Sequence, residues 1–198
     1  MSEDLEMLAD IAAAHTCTIM ARAGRLPLAS YIKTPDGVRM LVAGATDEAN
    51  KQMFAAITKV CGARYHSTCT AVVMETWTVL LRTPEDERLL REMRQAGTPV
   101  NEHPGAVERV LLVAGDTRIQ DVREYDIVRH HDDMVELRLI KRERLEGDAC
   151  LKGALMDLQH DADDLRNPAF LEIMRDMEEM GMLRGTPVAT TSRASRAN

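Results

Sequence analysis

The residue most open to a chemical reading is Glu75, a carboxylate set inside Thr70–Arg82, the chain's longest run of β-branched and large apolar residues. Period-two alternation puts Ala71, Val73, Trp77, Val79 and Leu81 on one face of that strand with Glu75 among them. Val72, Met74 and Leu80 take the other face with Thr70, Thr76 and Thr78. A carboxylate on a mostly apolar face beside the only Trp of the protein has its charged form disfavoured, which is how a general acid or base is tuned. The plainer alternatives are an ion pair with an Arg of a neighbouring strand, such as Arg109 or Arg138, or a face open to solvent or to a partner. Trp77 serves equally as core filler or as interface.

A second set of candidates is His130-His131-Asp132-Asp133, four metal-ligand types in a row. Neighbours on a tight turn diverge, so at most two could face one ion. Further ligands such as His103 or Glu108 would have to come from elsewhere, and a solvated hairpin tip is the plainer reading. His130, His131, Asp133 and His103 are therefore the metal candidates. The run His160-Asp161-Ala162-Asp163-Asp164 lacks the Gly and terminal Glu of a calcium loop and reads as a charged helix end. Val42-Ala43-Gly44-Ala45-Thr46 precedes a helix but has no Lys and too few glycines for a phosphate loop. Lys141, Arg142 and Arg144 form a solvated strand end, or else a local nucleic-acid contact.

Composition narrows the function classes. The 198 residues are 45% hydrophobic and 29% charged, as expected of one α+β domain with a core, and the net charge of -7 argues against a general nucleic-acid binder. Aromatics are only 3% while Met occurs 13 times, so Leu, Val, Ala and Met must fill the interior. Cys17, Cys61, Cys69 and Cys150 show no zinc spacing and read as free thiols in a reducing cytoplasm. The first residues carry no basic-then-apolar leader, and no run is long enough to cross a membrane.

The elements that position these residues follow in order. Ser2 and three early acids start a helix with Leu5, Leu8, Ala12, His15 and Ile19 on its apolar stripe, ended by Gly24. His15 reads as a satisfied or rim histidine. Pro27–Lys33 and Val38–Ala43 form a hairpin about Thr34-Pro35-Asp36-Gly37. Thr46 or Asp47 caps a second helix that buries Met53, Phe54, Ile57, Val60 and Cys61 and closes at Gly62. After the long strand, Thr83-Pro84 opens a short helix through Gln95, and residues 97–105 form a loop. Val107–Ala114, Asp121–Arg129 and Met134–Lys141 are three more strands, the last two a hairpin, with Val135, Leu137 and Leu139 facing in and Glu136 and Arg138 facing out. Ala149–Leu158 and a helix opened by Asn167-Pro168 complete the pattern.

The fold expected is therefore α+β: a mostly antiparallel sheet of about six strands with helices packed on one side, plus two C-terminal helices. Residues 1–147 make the core domain, 148–184 a helical appendage and 185–198 a flexible tail.

Val73-x-Glu75-x-Trp77, followed by His103-Pro104 and then Val107–Val113, resembles a loosely defined group of small uncharacterised bacterial and phage proteins. Their middle strand carries an E-x-W signature followed by an H-P loop and another strand. The resemblance spans about residues 1–144, and Met74 departs from the small residue common before that Glu. It implies the fold and a bacterial or phage setting, and no activity.

The expected function is a non-enzymatic interaction or accessory protein acting as a homo-oligomer, with a protein partner in view and no cofactor, membrane or nucleic acid required. Trp77 and the helix methionines Met174, Met177 and Met180 would supply the contact surface. The alternatives are a metal-assisted hydrolase using Glu75 or the His130–Asp133 cluster, and a nucleic-acid-binding accessory protein.

Overall fold

The structure, a computed structural model, describes residues 3–43, 48–116, 118–131, 134–152, 155–156, 167–179 and 187–188. Helix α1 (Glu3–Ala23) leads to strands β1 (Ala29–Thr34) and β2 (Gly37–Val42), helix α2 (Glu48–Arg64) and strand β3 (Cys69–Val79). Helix α3 (Pro84–Ala96) precedes β4 (Ala106–Gly115), β5 (Ile119–Arg129) and β6 (Val135–Glu146), and α4 (Pro168–Glu179) and the two-residue β7 (Pro187–Val188) follow. The strands form one antiparallel sheet in the order β6-β5-β4-β3-β1-β2-β7. As its two apolar faces require, β3 lies at the centre. Pro187 and Val188, within the expected tail, add the seventh strand beside β2.

The α+β class and antiparallel sheet agree with the sequence, but the helices do not gather on one side. Leu5, Leu8, Ala9, Ala12 and Met20 of α1 pack on Ala29, Tyr31, Ala71, Val73, Val110, Leu112 and Ala114. Alternation turns Leu28, Ile32, Val72 and Val113 to the opposite face, where Phe54, Ala55, Val60 and Cys61 of α2 cover them. A central strand apolar on both faces needs a layer on each. Phe170 of α4 joins the α2 layer, and Leu155 and Met156 pack beside it.

Local departures have local causes. The stripe of α1 runs through Leu5, Leu8, Ala9, Ala12, Thr16 and Met20, which leaves His15 at the rim, edge-on to the Tyr31 ring at 6.0 Å between centroids. Met53 is exposed and Thr58 is buried in its stead, its hydroxyl 2.9 Å from that of Ser30. Helix α2 continues through Gly62, burying Ala63, and closes at His66, whose positive φ of 52° lets Ser67 N–H donate to the Gly62 carbonyl. The expected caps Thr46 and Asp47, and Gly44 beside them, lie outside the described residues. In place of an Ala149–Leu158 helix there is a 3-10 turn at Gly147–Ala149, then non-helical Cys150–Lys152; residues 153–154 and 157–158 lie outside the description. Buried Gln120 prevents helix there: its amide donates to the Leu151 and Met156 carbonyls and its oxygen accepts from Leu151 N–H at 2.7 Å.

Candidate functional site

Helix α1 stops at Gly24 (φ 68°), and beyond it the sheet face it covered emerges. That emerging face carries Glu75 and Trp77 on β3, Glu108 on β4 opposite Trp77, and Arg129 at the end of β5. Glu75 Oε1 accepts from Leu26 N–H at 2.5 Å, just after the helix end. Arg129 donates to the Gly24 carbonyl at 2.9 Å and to Glu108 Oε2 at 3.2 Å, tying the same corner down. Trp77 remains 45% exposed and is therefore not core filler.

Burial raises the Glu75 carboxyl above the usual range and the neighbouring Glu108 adds to this, while Leu26 N–H, Arg129 and Arg25 oppose it. The corner thus holds one carboxyl that keeps its proton to a higher pH than usual, one carboxylate paired with an arginine, and a half-exposed indole. Neither Arg109 nor Arg138 is the partner of Glu75, as the ion-pair reading required. In register, Arg109 stands opposite Thr76 and Asp126, and Arg138 opposite Asp126, so both lie on the other face. Arg109 pairs there with Glu124 at 2.5 Å and Asp126 at 3.2 Å.

The metal candidates are not brought together. His103 is buried, and both its nitrogens are used: Nδ1 accepts from Gly105 N–H at 2.9 Å, which leaves Nε2 to donate to the Asp86 carbonyl at 3.3 Å. His103 therefore fixes the loop against α3. His130 lies at the hairpin end with Nε2 3.2 Å from Glu136, and His131 is in the exposed turn; Asp133 lies outside the described residues. Among the described residues no three His, Cys, Asp or Glu side chains could share an ion. The basic strand end is neutralised as well. Lys141 pairs with Glu143, Arg144 with Glu146, and Arg142 with Asp121 and Glu6.

Of the expected contact methionines, the side chains of Met174 and Met177, and all of Met180, lie outside the described residues. On α4, Leu171 and Ile173 are exposed. A larger unpaired feature is β6, at the end of the sheet and 12 residues long, bonded along one side only among the described residues. Its N-terminal half is apolar with two charges, Glu136 and Arg138. Leu139 is 50% exposed and Ile140 40%. A register shift opposite Glu124 and Tyr125 leaves Ile140 as the extra residue of a bulge, after which Lys141, Arg142, Glu143 and Arg144 follow in succession.

Of the inner face expected for β6, Val135 and Leu137 pack with α1 while Leu139 is half exposed, and the bulge at Ile140 leaves no mark in the alternation of that strand. The sequence reading missed Asp121, 2% exposed, and Arg123, which link β5 and β6 to Asp10 and Glu6 of α1. The signal was present: Asp121-x-Arg123-x-Tyr125 puts two charges on the inward face of a strand. Compared with family models, curated proteins and solved structures, the chain matches none. No helix among the described residues is long and apolar enough to cross a membrane.

Proposed function

We propose that this is a non-enzymatic interaction protein that works as a homo-oligomer, joined along β6, which among the described residues is an open edge of the sheet. The observation that carries this reading is β6. A long edge strand offers a row of free backbone N–H and C=O groups, and proteins that stay apart protect such edges with charge, proline, bulges or a covering element. Here the bulge and the four successive charged residues protect the half after Ile140, and the half before it carries only Glu136 and Arg138 among apolar residues. The exposed Trp77, beside the Glu75 corner, is a second surface suited to a different protein partner. A bacterial or phage setting is implied by the resemblance of the E-x-W strand and H-P loop and rests on that resemblance alone, while a reducing cytoplasm is the compartment that four cysteines without zinc spacing suggest.

The test is the mass of the full chain by light scattering over a wide concentration range. The reading expects about twice the 22.1 kDa of one chain, or a higher multiple, with dissociation on dilution. A 22.1 kDa species at every concentration contradicts it. Truncating the C-terminal helix is a poorer test, because it removes Phe170, which is buried against Val60 and Cys61.

A further inference from the structure

We infer that the partner along β6 is a second copy of this chain, its β6 running antiparallel about a two-fold axis through Leu137; this specifies the assembly proposed above and rests on it. Pairing the strand with itself about Leu137 sets Glu136 opposite Arg138 of the copy and Arg138 opposite its Glu136. It also sets Val135 opposite Leu139 and Leu137 opposite itself. Every cross-strand neighbour is then opposite in charge or apolar, and such pairs are what stabilise an antiparallel sheet. The interface is isologous, so each favourable pair occurs twice.

Neighbouring registers lose this match. A two-fold at Glu136 or at Arg138 puts that residue against its own copy, like charge on like charge. An axis between residues is excluded, because it would oppose residues whose side chains point to opposite faces of the sheet. The charges are also available. Arg138 is exposed and has no ion-pair partner among the described residues, the Asp126 opposite it being taken by Arg109. Glu136 is exposed and, among the described residues, its one ion-pair contact is the surface one with His130.

The geometry of the strand agrees. The bulge at Ile140 bounds the five-residue segment 135–139 at one end and the hairpin turn bounds it at the other, so the self-match occupies the regular part of the edge. A two-fold perpendicular to the sheet keeps faces together: Val135 and Leu137, already packed with α1, would continue into Leu139 of the copy, now half exposed. The result is one sheet of twice seven strands with α1 of both copies on the same face.

The experiment is a charge exchange read by light scattering and sedimentation on the full chain. Glu136→Arg and Arg138→Glu alone each create two like-charge pairs and should weaken the dimer by roughly tenfold or more. The double exchange, Glu136→Arg with Arg138→Glu, should return the dissociation constant to near the wild-type value. Single variants that assemble as the wild type does, or a double variant that stays apart, would overturn this register while leaving self-association standing. A wild-type chain that is monomeric throughout would overturn both.

Discussion

Asp121 is the side chain whose loss the fold should register most strongly. Although burial pushes its carboxyl up, the hydrogen bonds and charges of Arg123 and Arg142 outweigh burial and hold it below the usual Asp range. Asp121→Asn removes the charge opposite Arg123, itself 6% exposed, leaving Asp10 as its remaining carboxylate partner among the described residues, and should cost about 3 kcal/mol in urea unfolding at pH 7. The pH dependence follows from the direction of the shift. A carboxyl lowered on folding contributes fully above its unfolded value, near ~4, and the contribution is lost as pH falls through the folded value below it. The difference between wild type and Asp121→Asn should therefore shrink on acidification; a difference independent of pH would show that the pairing contributes little. Glu75 has the opposite sign. Its raised carboxyl withdraws stability as pH climbs from the ordinary Glu range through the folded value, so Glu75→Gln, which keeps an acceptor for Leu26 N–H, should match or exceed wild-type stability at pH 7. Glu75→Ala leaves that N–H without its acceptor and should cost about 1–2 kcal/mol. Equal losses in both variants would contradict this account.

Among the elements, those whose ends are written in local residue chemistry were legible in the sequence. Thr83 and Asp86 form a reciprocal capping box with Pro84 opening α3, and Gly97 in the left-handed region closes it. Pro35-Asp36 sits in the two-residue turn of the first hairpin, followed by Gly37 at φ 134°. What failed to show was whatever one element imposes on another. Leu151, Leu155 and Leu158 have helical spacing, yet the Gln120 side chain takes both backbone groups of Leu151. Gly62 can stop a helix, but burial of Ala63 carries α2 past it. Gln120→Ala should cost about 2 kcal/mol and speed hydrogen exchange at Leu151, with α1 protected as before. Unchanged exchange at Leu151 would mean that packing of Leu155 and Met156 alone holds the segment to the sheet.

At the scale of the molecule, the double-sided hydrophobicity of Thr70–Val79 was enough to put β3 in the middle of the sheet, and the sequential hairpins gave antiparallel pairing. The strand register was not legible from one chain, and register alone decides that Arg109 faces away from Glu75 and that Glu108 and Arg129 face towards its corner. The first half of β6, apolar apart from Glu136 and Arg138 and unpaired on its outer side among the described residues, is the basis for the proposed assembly through that edge. The most direct test is a single cysteine at the proposed axis. Leu137→Cys, with exposed Cys17 and partly exposed Cys150 changed to Ser, would place two thiols on opposed residues at the ~4.5–5.5 Å Cα spacing of an antiparallel pair, within disulfide reach. Glu136→Cys in the same background sits diagonally from its own copy at roughly 7–8 Å and serves as the control. Mild oxidation should convert most of the Leu137→Cys protein into a covalent dimer on a non-reducing gel and little of the control. Equal cross-linking of the two, or none at position 137, would contradict pairing about Leu137.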